Sequence, residues 1–348
     1  MRFGFMVDTH RIAGAEDETA EAFFAGLVDE ARTAEAAGVD GIFVPERHAR
    51  PETLAPDPLM LLTALAMATS TPRLGTFVLQ PGYYHPAHLA EQTALLDVVS
   101  GGRLVLGLGS GYHRGYFEHF GTPFEDRGAR LDETLAFLER AWSAERFDWA
   151  GPIWPTRGTL VMPAPVQAGG PPIWLAGTAS RAIRRAARRS CGLALMTVGT
   201  SVERIAEWIA EYRAECRLHA TAGPVAALFD GFIGADDDEA ERVWAEVSRR
   251  DDRAAFYSEH GMLPADAASP PPPDRPSGNV VVGGVEAVAR RLGELGEALG
   301  LGEDDWLILK FRTLAGPSRA DSMAALQRYG AVLDRVRAPG LTRSAPAP

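Results

Sequence analysis

The sequence predicts an α/β fold, a (β/α)8 TIM barrel with an insertion late in the chain. Three observations carry that expectation. Short apolar runs alternate with longer amphipathic segments along the chain, the pattern of a parallel sheet whose strands are joined by helices. There are eight such runs, which suits a closed barrel better than an open doubly wound sheet. The length, 348 residues, fits one barrel with room for an insertion.

The elements follow in order. Residues 2–7 (RFGFMV) read as the first strand. In 19–37, Ala22, Phe23, Ala25, Leu27, Ala31 and Ala34 recur at helical spacing, and Gly38 stops the helix. Residues 40–44 form the second strand, 57–69 a helix and 73–79 (RLGTFVL) the third strand. A helix over 86–99 leads into the fourth strand, 104–108, and a long helix spans 124–144. Residues 146–171 are rich in Pro, Gly and Trp and read as a loop with a short hairpin. The fifth strand is 172–176, followed by a helix over 180–189. The sixth is 192–196, followed by a helix over 201–219. The seventh is 225–233, followed by a helix over 236–250. The segment ASPPPPDRPSG excludes regular structure, so about 251–280 is read as the insertion. A helix over 285–299, the eighth strand at 306–311 and a helix over 318–336 complete the count. Residues 1–336 are thus expected to be one domain, and 337–348 a disordered tail.

Composition excludes several partners. The net charge of −11 argues against nucleic acid and anionic membrane, which need clustered Lys and Arg. The two cysteines, Cys191 and Cys216, form no CxxC pair and suggest neither disulfide framework nor metal site. No run of about 18 apolar residues is present, and MRFGFMVDTH lacks a signal-peptide pattern. A cytoplasmic location is expected.

In such a barrel, function lies beyond the C-terminal ends of the strands. Asp8, Thr9 and His10 follow the first strand, and Pro45-Glu46-Arg47-His48 the second. Gln80 to His85 follow the third, and Gly109-Ser110-Gly111-Tyr112-His113 the fourth. His10, His48, His85 and His113 therefore sit on this rim, and imidazole is suited to proton transfer near neutrality. After the fifth strand, Gly177-Thr178-Ala179-Ser180-Arg181 opens a helix. Its free N–H groups, hydroxyls and guanidinium suit a phosphate; an ordinary N-cap explains the same residues. GLGSGY at 107–112 lacks the third glycine of a dinucleotide fingerprint. No GxSxG, HExxH or P-loop is present. A histidine-bearing rim beside a phosphate cradle points to an organic cofactor.

These motifs together resemble the luciferase-like flavin monooxygenases. DVVSGGRLVLGLGSGY (97–112) is similar to the family's D-x-x-S-x-G-R-x-x-x-G-x-G-x-G signature. PPIWLAGTASRAIRRAA (171–187) resembles its PPIWxxGxS segment, and VPERHA (44–49) its E-H-H turn. The resemblance implies FMN across the barrel mouth, its phosphate at Gly177, Thr178, Ala179, Ser180 and Arg181. It implies a ring contact near Phe77 and Val78, where the family carries a non-prolyl cis peptide, with Gly109, Ser110, Gly111 and Tyr112 lining the pocket. It further implies reduced FMN supplied by a separate NAD(P)H flavin reductase, O2 as cosubstrate through a C4a-peroxyflavin, a small organic substrate, and a homodimer through the first helices. One departure stands out: the E-H-H turn is Glu46-Arg47-His48 here. Arg47 cannot act as a base, so the proton work falls to His48, His10 or His113, or Arg47 holds an anionic substrate or a flavin-bound oxygen. A deazaflavin (coenzyme F420) branch shares the fold; its members often carry an acidic residue after the G-x-G, where Tyr112 and His113 stand here. A non-catalytic flavin-binding paralogue is the third reading. Trp149, Trp154 and Phe256 either line a substrate cavity or pack the loops.

Overall fold

The computed structural model describes residues 1–12, 15, 17–251 and 279–338. Eight parallel strands close a barrel: β1 (Arg2–Met6), β2 (Gly41–Val44), β3 (Arg73–Thr76), β4 (Leu104–Leu108), β7 (Ile173–Ala176), β8 (Gly192–Met196), β9 (Val225–Ile233) and β11 (Trp306–Lys310), with β11 pairing back to β1. The helices α1 (Ala20–Ala36), α2 (Pro58–Ala68), α3 (Pro86–Val99), α5 (Arg127–Ala141), α6 (Ser180–Arg188), α7 (Val202–His219), α8 (Asp237–Arg250), α9 (Val285–Ala298) and α10 (Arg319–Arg337) alternate with them. This is the predicted (β/α)8 architecture.

Strand alternation explains the two cores. Residues of one parity face the helices and join the large outer cluster, such as Ile42, Leu106, Leu307 and Leu309. The other parity points into the barrel, where Met6, Phe43, Phe77, Trp174, Leu228, Trp306 and Ile308 form a separate cluster. Phe43 fills the axis, stacking on Trp174 at 5.4 Å and meeting Trp306 edge-on at 5.5 Å. The strands admit that ring because they carry glycine opposite it: a Cβ at Gly75 would lie 2.8 Å from Phe43.

Four local differences from the sequence reading matter. The third strand stops at Thr76, and Leu79 makes only an isolated bridge to Leu108. The helix expected over 124–144 begins at Arg127 after a single 3-10 turn, and a short helix α4 (Arg114–His119) precedes it. A ninth strand, β10 (Val281–Gly283), pairs with the upper half of β9. The last helix reaches Arg337, one residue into the stretch read as tail. Most of the expected insertion, with Phe256, and residues 339–348 lie outside the described residues.

The 146–171 loop does contain a hairpin, β5 (Phe147–Trp149) against β6 (Thr156–Thr159). Glu133 on α5 anchors it, accepting the N–H groups of Ile153 at 3.0 Å and Trp154 at 2.9 Å. Trp149 packs on Phe137 and Trp154 lies beside Arg130. These tryptophans pack the loop down; neither lines the cavity described next.

Candidate active site

Above the aromatic core, at the C-terminal ends of the strands, lies a cavity of about 550 Å³. One part of its wall is apolar: Phe77, Val78, Ala176, Ala194, Met196 and Leu228. The Phe77–Val78 peptide is cis. Gly109, Ser110, Gly111 and Tyr112, after β4, form the next stretch of wall.

At the β4–β7 side the wall turns basic. Gly177, Thr178, Ala179 and Arg181 line it, joined by Arg127 and Arg185. Gly177 packs so closely on the first turn of α6 that a Cβ there would lie 2.4 Å from the Ala182 methyl. The cap residue Ala179 provides no side-chain hydrogen bond to the α6 N-terminus. The helix start therefore presents backbone donors and the positive end of its dipole to the cavity. Arg185 is paired with Asp132 at 2.8 Å, whereas Arg181 has no acidic partner among the described residues. Ser180 departs from the expected cradle. Its hydroxyl donates to Glu211 at 3.0 Å, and it is not among the lining residues.

Across the barrel, beside β11, β1 and β2, a charged layer closes the cavity. Arg47 donates to Asp8 Oδ1 at 2.8 Å, and both side chains are buried. Burial alone pushes the Asp8 carboxyl up, but Arg47, Lys310 and His10 hold it well below the usual carboxylate range. Lys310 Nζ lies 3.6 Å from Asp8 Oδ2 and 3.5 Å from Asp230 Oδ1. Glu46 accepts the Gln80 N–H at 2.6 Å and the Tyr84 hydroxyl at 2.5 Å. Burial and then the Glu46 charge push the Tyr84 phenol upward, so it stays a donor.

The structure divides the residues expected to carry protons. Glu46 and Arg47 line the cavity; His10, His48 and His113 do not. His10 sits behind the Asp8–Arg47 pair, its Nδ1 3.3 Å from Asp8 Oδ1. Burial, then the Arg47 charge, lower its pKa to about 4, so it is neutral at physiological pH. His48 lies edge-on to Phe120, Tyr83 and Tyr116, with Nε2 3.2 Å from Glu46 Oε1. His113 stacks on Tyr116 at 4.3 Å. Their rim position was legible, but not that they turn into an aromatic box.

The motif order, the barrel and the cavity converge on one family, and the luciferase-like monooxygenase family matches residues 1–302. The chain belongs to that family. The oxygenase component of a flavin-dependent trigonelline monooxygenase from Acinetobacter baylyi is 26% identical over 248 residues, covering 70% of this chain and 68% of that protein. An FMNH2-dependent dimethylsulfone monooxygenase from Pseudomonas putida is 32% identical over 215 residues, with 60% and 57% covered. An F420-dependent glucose-6-phosphate dehydrogenase from Rhodococcus erythropolis is 29% identical over 239 residues, with 64% and 69% covered. Among solved structures, monooxygenase RslO1 from Streptomyces bottropensis has the same fold, with TM-score 0.83, 23% identity, and 97% of this chain and 100% of that one covered.

In this luciferase-like chain the signature over 97–112 has two jobs. Its first half is structural and lies below the barrel. Asp97 binds Gln167, while Arg103 donates to the carbonyls of Ser100, Ala66 and Thr69 at 2.6, 2.9 and 3.0 Å, closing the C-terminus of α2. Only its glycine half reaches the cavity. Arg127, Arg185, Asp230 and Lys310 went unread in the sequence. Arg185 stands four residues after Arg181 on one helix face. Asp230 and Lys310 are charges at inward positions of otherwise apolar strands, a signal the alternation contains.

Proposed function

We propose that this protein is the oxygenase component of an FMN-dependent monooxygenase acting on a small organic substrate, with a separate NAD(P)H flavin reductase. The observation that carries the reading is the polarity of the cavity: Arg181, without an acidic partner among the described residues, and the open α6 N-terminus on one side, and an apolar wall beside them. A phosphate attached to a planar ring fits that sequence of surfaces, and the protein's net negative charge makes the basic end the more pointed. Tyr112 after Gly109-Ser110-Gly111 supports FMN over a deazaflavin. F420-dependent relatives at similar identity keep the deazaflavin reading as the alternative.

Reduced FMN held there would supply two electrons for the use of O2, which would allow one oxygen atom to enter the substrate and the other to leave as water. The chain's own contribution is arrangement. Gly177, Thr178, Ala179 and Arg181 hold the phosphate. Phe77, Val78 and Ala176 present an apolar face and exclude water. Arg47, fixed by Asp8, holds a permanent positive charge at the reacting end. Glu46, tied by Gln80 and Tyr84, orients the turn that carries it.

A homodimer is part of the proposal. Met60 and Met67 on α2 and Leu95 on α3 are 74%, 77% and 53% exposed, an apolar surface suited to a second copy.

Oxygen uptake tests the activity. With FMN, a flavin reductase and NADH, a panel of small ketones, amines and sulfur compounds should include one that raises uptake above the reductase background and yields an oxygenated product. Uptake at background with every compound, while an F420-linked alcohol or sugar phosphate is oxidised, would move the assignment to the deazaflavin branch.

A further inference from the structure

Lys310 is the only lysine in the chain; every other one of the 35 Lys and Arg residues is arginine. That single ammonium stands in the cavity wall. Its position follows from strand alternation. Trp306 and Ile308 on β11 point into the barrel, so Lys310 is the next inward residue, one layer higher and level with its register partner Asp230 on β9. The residue is 3% exposed.

Its two ion pairs, at 3.6 Å to Asp8 and 3.5 Å to Asp230, are longer than N–H···O hydrogen bonds, which run about 2.7–3.2 Å. At those distances the two carboxylates take none of its three donors in a close hydrogen bond. Buried donors demand acceptors, and the open direction is the cavity. We propose that Lys310 is a specificity residue whose ammonium donates to the carbonyl oxygen of a neutral substrate: a ketone, aldehyde, ester or amide.

Charge selects the neutral class. Among the described residues, Arg47 and Lys310 are the cations that face Asp8, Asp230 and Glu46; Arg312, which donates to the Asp8 carbonyl, is paired with Glu30, and His10 is neutral. An added carboxylate would meet a layer already negative by one, whereas a carbonyl brings no net charge. Topology separates this end from the phosphate cradle, since β7, which leads into the cradle, lies opposite β1 and three strands from β11 in the ring of eight strands. A flexible ammonium suits one oxygen better than the rigid fork of arginine. The inference rests on the flavin reading for what fills the rest of the cavity.

Because the chain has one lysine, full-length protein carrying 13Cε-labelled lysine gives a single CεH2 resonance. FMN is added first, its binding read separately by fluorescence. Two matched series follow: cyclohexanone, cyclohexanol and cyclohexanecarboxylate, then acetophenone, 1-phenylethanol and benzoate. The expected result is a saturable shift with a ketone, at least tenfold weaker with its alcohol and its carboxylate. Lys310→Met should weaken that ketone at least tenfold and change FMN affinity less than twofold. A resonance unmoved by both ketones, a carboxylate that binds better, or a shift already complete with FMN alone would overturn the proposal. Failure of FMN to bind would remove the flavin reading instead, and the ketone series would still report on Lys310. Should Lys310→Met not fold, the resonance of the unaltered protein decides.

Discussion

At the residue scale, the charged layer around Asp8 makes separable predictions. His10 has a folded pKa of about 4 against about 6.5 in an unfolded chain. Between those values the unfolded chain takes up a proton that the folded protein refuses. Its contribution to stability is therefore present above pH 6.5 and lost as the pH falls toward 4, by up to about 3 kcal/mol. His10→Asn should flatten the fall in urea midpoint between pH 6.5 and 4.5; an unchanged slope would show that His10 titrates normally. Arg181, exposed and without an acidic partner among the described residues, makes a different claim. Arg181→Ala should weaken FMN about tenfold, the equivalent of roughly 1.4 kcal/mol, and riboflavin, which lacks the phosphate, less than twofold. Equal losses for both would place the guanidinium elsewhere than at a phosphate.

At the scale of elements, the turn from β7 into α6 carries the cofactor argument. A side chain at Gly177 must displace Ala182 and so tilt the helix start. Gly177→Val should cost about 1–3 kcal/mol of stability and most of the FMN affinity, read by thermal melting and flavin fluorescence. Retained affinity would show that the turn is not the cradle. This element was legible: glycine, small polar residues and an arginine before a helix are a local pattern. So were the eight strands, because alternating apolar runs and helical periodicity are local as well. The cations that complete the site were not read, for a physical reason. Arg127 and Arg185 sit on helices whose inward faces are defined only once the helices pack. The four rim histidines, His10, His48, His85 and His113, differ in the opposite sense, since none lines the cavity. Sequence places a residue after a strand, but not on the cavity side of the loop, and the aromatic side chains of Tyr83, Tyr116 and Phe120 draw His48 away from it.

For the whole molecule, two consequences follow from shape and charge. The exposed Met60, Met67 and Leu95 should be covered in solution. Light scattering should give twice the 37.4 kDa chain mass, and Met60→Glu with Met67→Glu should give a monomer. A monomer without substitution would leave that face unexplained. The barrel itself sets a single polarity of function: its closed core lies below, and the cavity, with arginines on one side and the Asp8 layer on the other, lies above. That arrangement is the basis for proposing a phosphorylated planar cofactor, and the family resemblance implies its reduced form. Anaerobic titration of the same protein with reduced FMN, oxidised FMN and reduced deazaflavin tests it most directly. The account predicts that reduced FMN binds at least tenfold more tightly than either of the others; tighter binding of the deazaflavin, or no binding of FMN in either state, would contradict it.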